Sequence, residues 1–208
     1  MKKLASIFLA LVMIFGLSIN VFATENTTVT FDDPTTPRTY DAYKLLDLTV
    51  SLKSGEHHPA DCTGDHSDKC YNYAYTVVDK YLGILQAETH ENAGPEIWGD
   101  ATRPAVGSVT EKQILDYLAS LSSDNNGTFG SLRRAADRIY RAIDAAGLKA
   151  DKEELKDSAN IDQGYWMFVD VTNFDNAQDA SSLVILDTKG EDELVITPRS
   201  PSPAWRRR

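Results

Sequence analysis

The sequence predicts a mainly β chain: a β-sandwich with an inserted helical segment, α+β in overall content. Three observations carry this. The elements come grouped as strands, then helices, then strands, whereas a parallel α/β sheet needs them to alternate. "YNYAYTV", 71–77, sets Tyr71, Tyr73, Tyr75 and Val77 against Asn72, Ala74 and Thr76, the period-2 mark of a half-buried strand. "GYWMFVDVT", 164–172, concentrates aromatic and β-branched residues in one short run.

In chain order, "TTVTFD" (27–32) alternates weakly and predicts a first strand. After the turn-rich "DPTTPR", the stretch 39–51, "TYDAYKLLDLTVS", is rich in β-formers. Tyr43, Leu45, Asp47 and Thr49 share a face, but apolar residues fall on both faces, so a bulged strand is expected. With 71–77 it would form a hairpin around a long loop. Asp79 to Gln86 predicts one short helix. Thr110 with Gln113 three residues on is a capping box; Ile114, Leu118 and Leu121 then line one helical face, and Asn126-Gly127 ends the segment. The clearest helix places Leu132, Ala136, Ile139, Ile143 and Ala146 at helical spacing, with Gly147 as its C′ cap. Its other face carries Arg133, Arg134, Asp137, Arg138, Arg141 and Asp144, which reads as a solvated face of mixed charge. Strands return at 164–172, at "SSLVILDT" (181–188) and at "ELVITPR" (193–199).

The N-terminus sets the compartment. Lys2 and Lys3 precede an apolar run from Leu4 to Val21, and Val21-Phe22-Ala23 presents small or light residues at the two positions a signal peptidase reads. Residues 1–23 are therefore expected to be a secretory signal peptide, leaving one domain at 24–198 and an atypical Pro/Arg tail at 199–208. The chain holds 21 Lys and Arg against 31 Asp and Glu; losing Lys2 and Lys3 moves its net charge from −10 to about −12. Such an acidic surface has no electrostatic reason to hold nucleic acid or anionic lipid. No second apolar stretch is long enough to span a membrane, so no membrane partner is expected after cleavage.

The two cysteines, Cys62 and Cys70, flank seven residues that include Gly64, Asp65 and Asp68, a stretch that turns easily. Secretion makes a disulfide the default, stabilising by roughly 2–3 kcal/mol through loop closure. A zinc site of His58, Cys62, His66 and Cys70 stays open as the alternative, although the spacing matches no common zinc pattern. The aspartates do not follow EF-hand spacing. His57, His58, His66 and His90 all fall in loop-like stretches. No G-x-S-x-G, H-E-x-x-H or phosphate-binding glycine loop occurs, so no catalytic residue is assigned and no cofactor is expected.

Four segments taken together, "TYDAYKLLDLTVS", "CYNYAYTVVDKY", "GYWMFVDVT" and "SSLVILDTKGEDELVITPR", follow a signal peptide in this order. The set resembles the N-terminal domain of Gram-positive, sortase-assembled fimbrial (pilin) subunits of the isopeptide-forming family, over roughly residues 27–199. The resemblance implies an Ig-like β-sandwich acting in cell adhesion as a structural and adhesive module at the cell surface. The partners implied are other pilin subunits and sortase in a full-length form, with a host-surface ligand as a further candidate. Wall attachment would need a longer form carrying a sorting signal. The family's linking lysine near the domain end is replaced here by Arg199 in "ITPR"; a guanidinium stays protonated and is no nucleophile, so self-polymerisation through this position is not expected. The tail "SPSPAWRRR" suggests a truncated or frame-shifted reading of a longer gene.

An internal isopeptide bond needs a lysine, an Asn or Asp carbonyl and a nearby carboxyl group in an apolar core. Lys44 with Asp170 or Asn173 are the candidates, against a plain outward-facing strand lysine. Two rival functions remain: a secreted hydrolase using a metal or carboxylates, and a free secreted host-binding protein, which would show exposed aromatics such as Trp98 in a groove.

Overall fold

The computed structural model describes residues 21–22, 26–32, 38–52, 71–99, 102–123, 130–172, 183–189 and 191–196. The chain divides into two compact units, residues 1–23 with 49–74 and residues 24–48 with 75–208. In the first unit, strand β1 (Val21–Phe22) pairs antiparallel with Ser51 and Val50 at the end of β3 (Tyr40–Leu52). Tyr71 and Tyr73, at the start of β4 (Tyr71–Val77), lie with ring centroids 6.4 Å apart.

The second unit holds most of the fold. Its order is β2 (Asn26–Phe31), the first part of β3, the end of β4, α1 (Asp79–Asn92), α2 (Pro95–Trp98), a 3₁₀ turn (Val106–Ser108), α3 (Glu111–Ser120) and α4 (Ser131–Ala145). Strands β5 (Lys152–Leu155), β6 (Ser158–Asp162), β7 (Gly164–Asp170), β8 (Leu183–Asp187) and β9 (Glu193–Ile196) follow. The larger sheet runs β1-β3-β7-β8, with β4 and β5 also paired to β3; the smaller runs β6-β2-β9. Grouped strands, helices and strands are thus what the chain forms: it is sheet-rich, with two sheets and a block of helices.

At β7 and the first part of β3 the larger sheet is buried on both faces. Tyr43 and Leu45 of β3, Met167 and Val169 of β7, and Leu183 and Ile185 of β8 face a core completed by helical residues Tyr81, Leu85, Ile114, Leu118, Ile139 and Ile143. The alternate positions, Tyr40, Ala42, Trp166 and Phe168, meet Val29 and Phe31 of β2, Ile161 of β6 and Ile196 of β9. Tyr40 stacks on Phe31 at 4.5 Å, and Phe168 meets Phe31 edge-on at 5.8 Å. Two-sided burial explains why Trp166 through Val169 are all buried and apolar, where a one-sided strand would alternate. The bulge expected in β3 is met by a register shift against β5 between Tyr40 and Ala42, while the register against β7 is regular from Tyr40 to Lys44; the buried positions also change phase after Leu45, with Leu46, Leu48 and Val50 buried and Asp47 and Thr49 exposed.

Other expectations change at the edges. The first helix runs on to Asn92 and so contains His90, expected in a loop; its second half, "AETHEN", has no apolar period because its buried side chains include Glu88 and Thr89. Strands β5 and β6 were not foreseen. "KEEL" is helix-favouring by composition, yet Glu154 and Asp157 adopt φ of 56° and 55° and turn the chain into two strands. Thr110 and Gln113 make the expected capping box. Gly147 (φ 65°) closes α4 through Gly147 N–H to Asp144 O (2.9 Å) and Leu148 N–H to Ile143 O (3.1 Å), a Schellman motif.

Candidate functional site

Lys44 is a half-buried lysine on β3. β3 carries it out of the register pair with Trp166 of β7, and its ammonium lies 5.8 Å from the Trp166 ring. The side chain is 12 % exposed. It donates to Asp162, at the end of β6, and sits 2.5 Å from Asp47 Oδ1 three residues on. Trp166 Nε1 donates to the Asp162 backbone carbonyl at 2.9 Å, which fixes that corner. Gly164 makes room: a Cβ there would lie 2.5 Å from Leu46 O and 2.8 Å from Lys44 Cε. Burial pulls the ammonium pKa down, but the hydrogen bonds and charges of Asp162 and Asp47 outweigh it and hold it above the ordinary lysine value. The amine is therefore a charged ion-pair partner at neutral pH, not a free nucleophile.

Asp170 lies elsewhere. It pairs in register with Tyr40, four positions along β3 from Lys44, and its carboxylate accepts from Arg38 and from Thr172 N–H at 2.9 Å. Its side chain is 6 % exposed. Burial raises its pKa, and the Thr172 and Arg38 hydrogen bonds reverse this and hold it below the usual carboxylate range. The structure thus does not bring Lys44 and Asp170 together, and Asn173 lies outside the described residues. Cys62, Cys70, His57, His58 and His66 also lie outside them, and with them both the disulfide and the zinc alternative.

Two polar clusters, the first of them buried, carry no signal in the sequence. Glu88 accepts from Tyr117 OH (2.6 Å), Arg138 Nη2 (2.7 Å) and Asn92 Nδ2 (3.1 Å), tying α1, α3 and α4 together with a carboxylate that is 6 % exposed. Arg138, expected on a solvated face, is thereby half-buried. Around Asp151, Tyr81 OH (2.8 Å), Lys80 Nζ (2.7 Å) and the Lys44 backbone N–H (2.9 Å) converge. Trp98 is buried, with Nε1 donating to Ala93 O at 3.3 Å, so it packs where an exposed groove aromatic was considered. Only a partner-by-partner reading finds such clusters, because each acid and base is far apart in sequence.

Among the described residues no cluster of His, Cys, Asp and Glu is arranged to hold a metal ion. No helix among them is long and apolar enough to cross a membrane. No family model matches the chain, and no curated protein matches it.

Proposed function

We propose that the chain is a structural and adhesive domain of a bacterial surface fimbria, exported by its signal peptide and working outside the cell without catalysis. Its centre would be an Ig-like β-sandwich. The observation that carries this reading is the aromatic layer between the two sheets, where Phe31 and Tyr40 stack and Trp166 and Phe168 fill the gap between β2, β6 and β9. Sheet-on-sheet packing of this kind gives a stiff body whose outer strands can be varied for contact without disturbing the core. The ionic groups fit the same role. Lys44, Asp170 and Glu88 are each engaged by partners that hold elements together. A Cys62–Cys70 disulfide would tie down the loop between β3 and β4, and sortase with other subunits would be the assembly partners.

The test is electron microscopy of the producing cells with gold-labelled antibody raised against the purified chain. Gold along fibres at the cell surface is the expected result. Protein found only in the medium, with bare fibres, overturns the assignment in favour of a free secreted binder. Stoichiometric zinc in the same preparation, lost in His66→Ala, would instead support a metal-dependent hydrolase.

A further inference from the structure

We infer that β2 and β9 form a shear clamp, so that the domain carries tension between the chain before β2 and the chain after β9. This goes beyond the fimbrial reading, because it stands on strand geometry alone. β2 and β9 are neighbours and run parallel, with Thr28, Val29, Thr30 and Phe31 facing Glu193, Leu194, Val195 and Ile196. In a parallel pair, the N-terminal end of one strand and the C-terminal end of the other lie at opposite ends of the ladder. Tension entering at Asn26 and leaving at Ile196 therefore slides the strands past each other and loads their hydrogen bonds together. Tension applied at one end of the same ladder opens the bonds one at a time, and each then breaks at lower force.

The ends of this ladder are built to resist sliding. Thr28 N–H donates to Asp192 O at 2.9 Å and Asp32 N–H to Ile196 O at 3.0 Å, so bonds bracket the paired residues on both sides. Thr27, fully buried, donates from Oγ1 to Glu191 O at 2.6 Å, locking the entry of β2 to the turn before β9. The same turn is joined to the larger sheet. Thr188, also fully buried, receives Gly164 N–H at 2.8 Å on its Oγ1 and returns its own N–H to Gly164 O at 3.0 Å. The other edge of β2 is held as well, by antiparallel pairing of Asn26 to Thr30 with Asp162 to Ser158 of β6. β9 is the outer strand of the order β6-β2-β9, so the β2–β9 ladder must slide for β9 to leave, while β6 and the core contacts of Val29 and Phe31 hold β2 in place.

The experiment is single-molecule force spectroscopy on the whole chain with handles in three placements at one loading rate. One placement uses the two chain ends, the shear geometry. A second uses residue 32 and the C-terminal end; a third uses the N-terminal end and residue 192. Both of these open the β2–β9 ladder from one end, and Asp32 and Asp192 are exposed, so handles there leave the core intact. Equal thermal midpoints across the three confirm one fold; should one handle lower the midpoint, the other peeling placement supplies the comparison. The clamp predicts an unfolding force at least about twofold higher in the end-to-end placement, since forced unfolding reads the barrier directly. Thr27→Val should lower the end-to-end force and leave the residue-32 placement unchanged. Equal forces in shear and peeling placements, or a lower force end to end, overturn it.

Discussion

Asp170 and Lys44 make opposite contributions to the pH dependence of stability. Asp170 is held ionised by Arg38 and Thr172, with its pKa depressed in the fold. Its contribution is present above the unfolded value near ~4 and is lost as pH falls through the folded value. Asp170→Asn should flatten the acid limb below the ordinary carboxylate range and cost about 1.5–3 kcal/mol at neutral pH, read as urea midpoints from neutral pH downward. An unchanged acid slope would rule the pair out as its source. Lys44 has a raised pKa, so its contribution is present below about pH 10 and is lost on the alkaline side. Asp162 and Asp47 are 44 % and 54 % exposed, so solvent screens the pairs and Lys44→Met should cost about 1 kcal/mol or less.

Burial also raises the phenols of Tyr43, Tyr81, Tyr117 and Tyr140, and pushes Tyr165 up to about 12. The unfolded chain would ionise these phenols first as pH passes about 10, so stability falls from there upward. The share of tyrosinate absorbance that these five phenols supply should appear together with loss of near-ultraviolet circular dichroism, in Lys44→Met as in the parent chain. Full tyrosinate absorbance in a protein that keeps its near-ultraviolet signal would contradict this. None of these partnerships was legible in the sequence. Lys44 could be singled out from its place between Tyr43 and Leu45, but its acids sit on a different strand and three residues along its own. Asp162 belongs to β6, which composition did not reveal.

At the scale of elements, local signals worked where they were self-contained. The capping box of Thr110 and Gln113 and the C′ glycine of α4 are short-range chemistry, and both form as read. Thr110→Ala should cost about 1 kcal/mol by orphaning a helix N–H. Gly147→Ala should cost about 1 kcal/mol through its left-handed φ alone, since a Cβ there meets nothing within 4 Å. Both are readable as thermal or urea midpoints; a neutral Gly147→Ala would mean the helix end relaxes out of the Schellman turn. Signals that depend on tertiary partners were harder to read. β5 is strand because Asp41 Oδ1 receives the Glu154 N–H (3.0 Å) and Ala42 O receives the Asp151 N–H (2.8 Å), not because "KEEL" favours extension. The second half of α1 is helix because Glu88 finds Tyr117 and Arg138 across the bundle.

For the whole molecule, the grouping of elements was legible because sheet and helix periods differ. The double burial of the larger sheet at β7 was hidden, because a continuous apolar run there fits several architectures. That sheet links the two cores through adjacent residues, Phe168 facing one and Met167 the other. Phe168→Ala should therefore cost about 3–5 kcal/mol and Ile139→Ala about 2–5 kcal/mol, both shifting one cooperative transition. Two separate transitions would show that the cores fold independently.

The most direct measurement of the fimbrial reading is covalent state on the producing cell. Cell-surface extracts boiled in detergent and probed with antibody against the purified chain should show high-mass, heat-resistant species containing it, joined through other subunits because Arg199 supplies no linking amine. A single band at the monomer mass, with no high-mass species in any extract, would contradict the account and leave a free secreted domain.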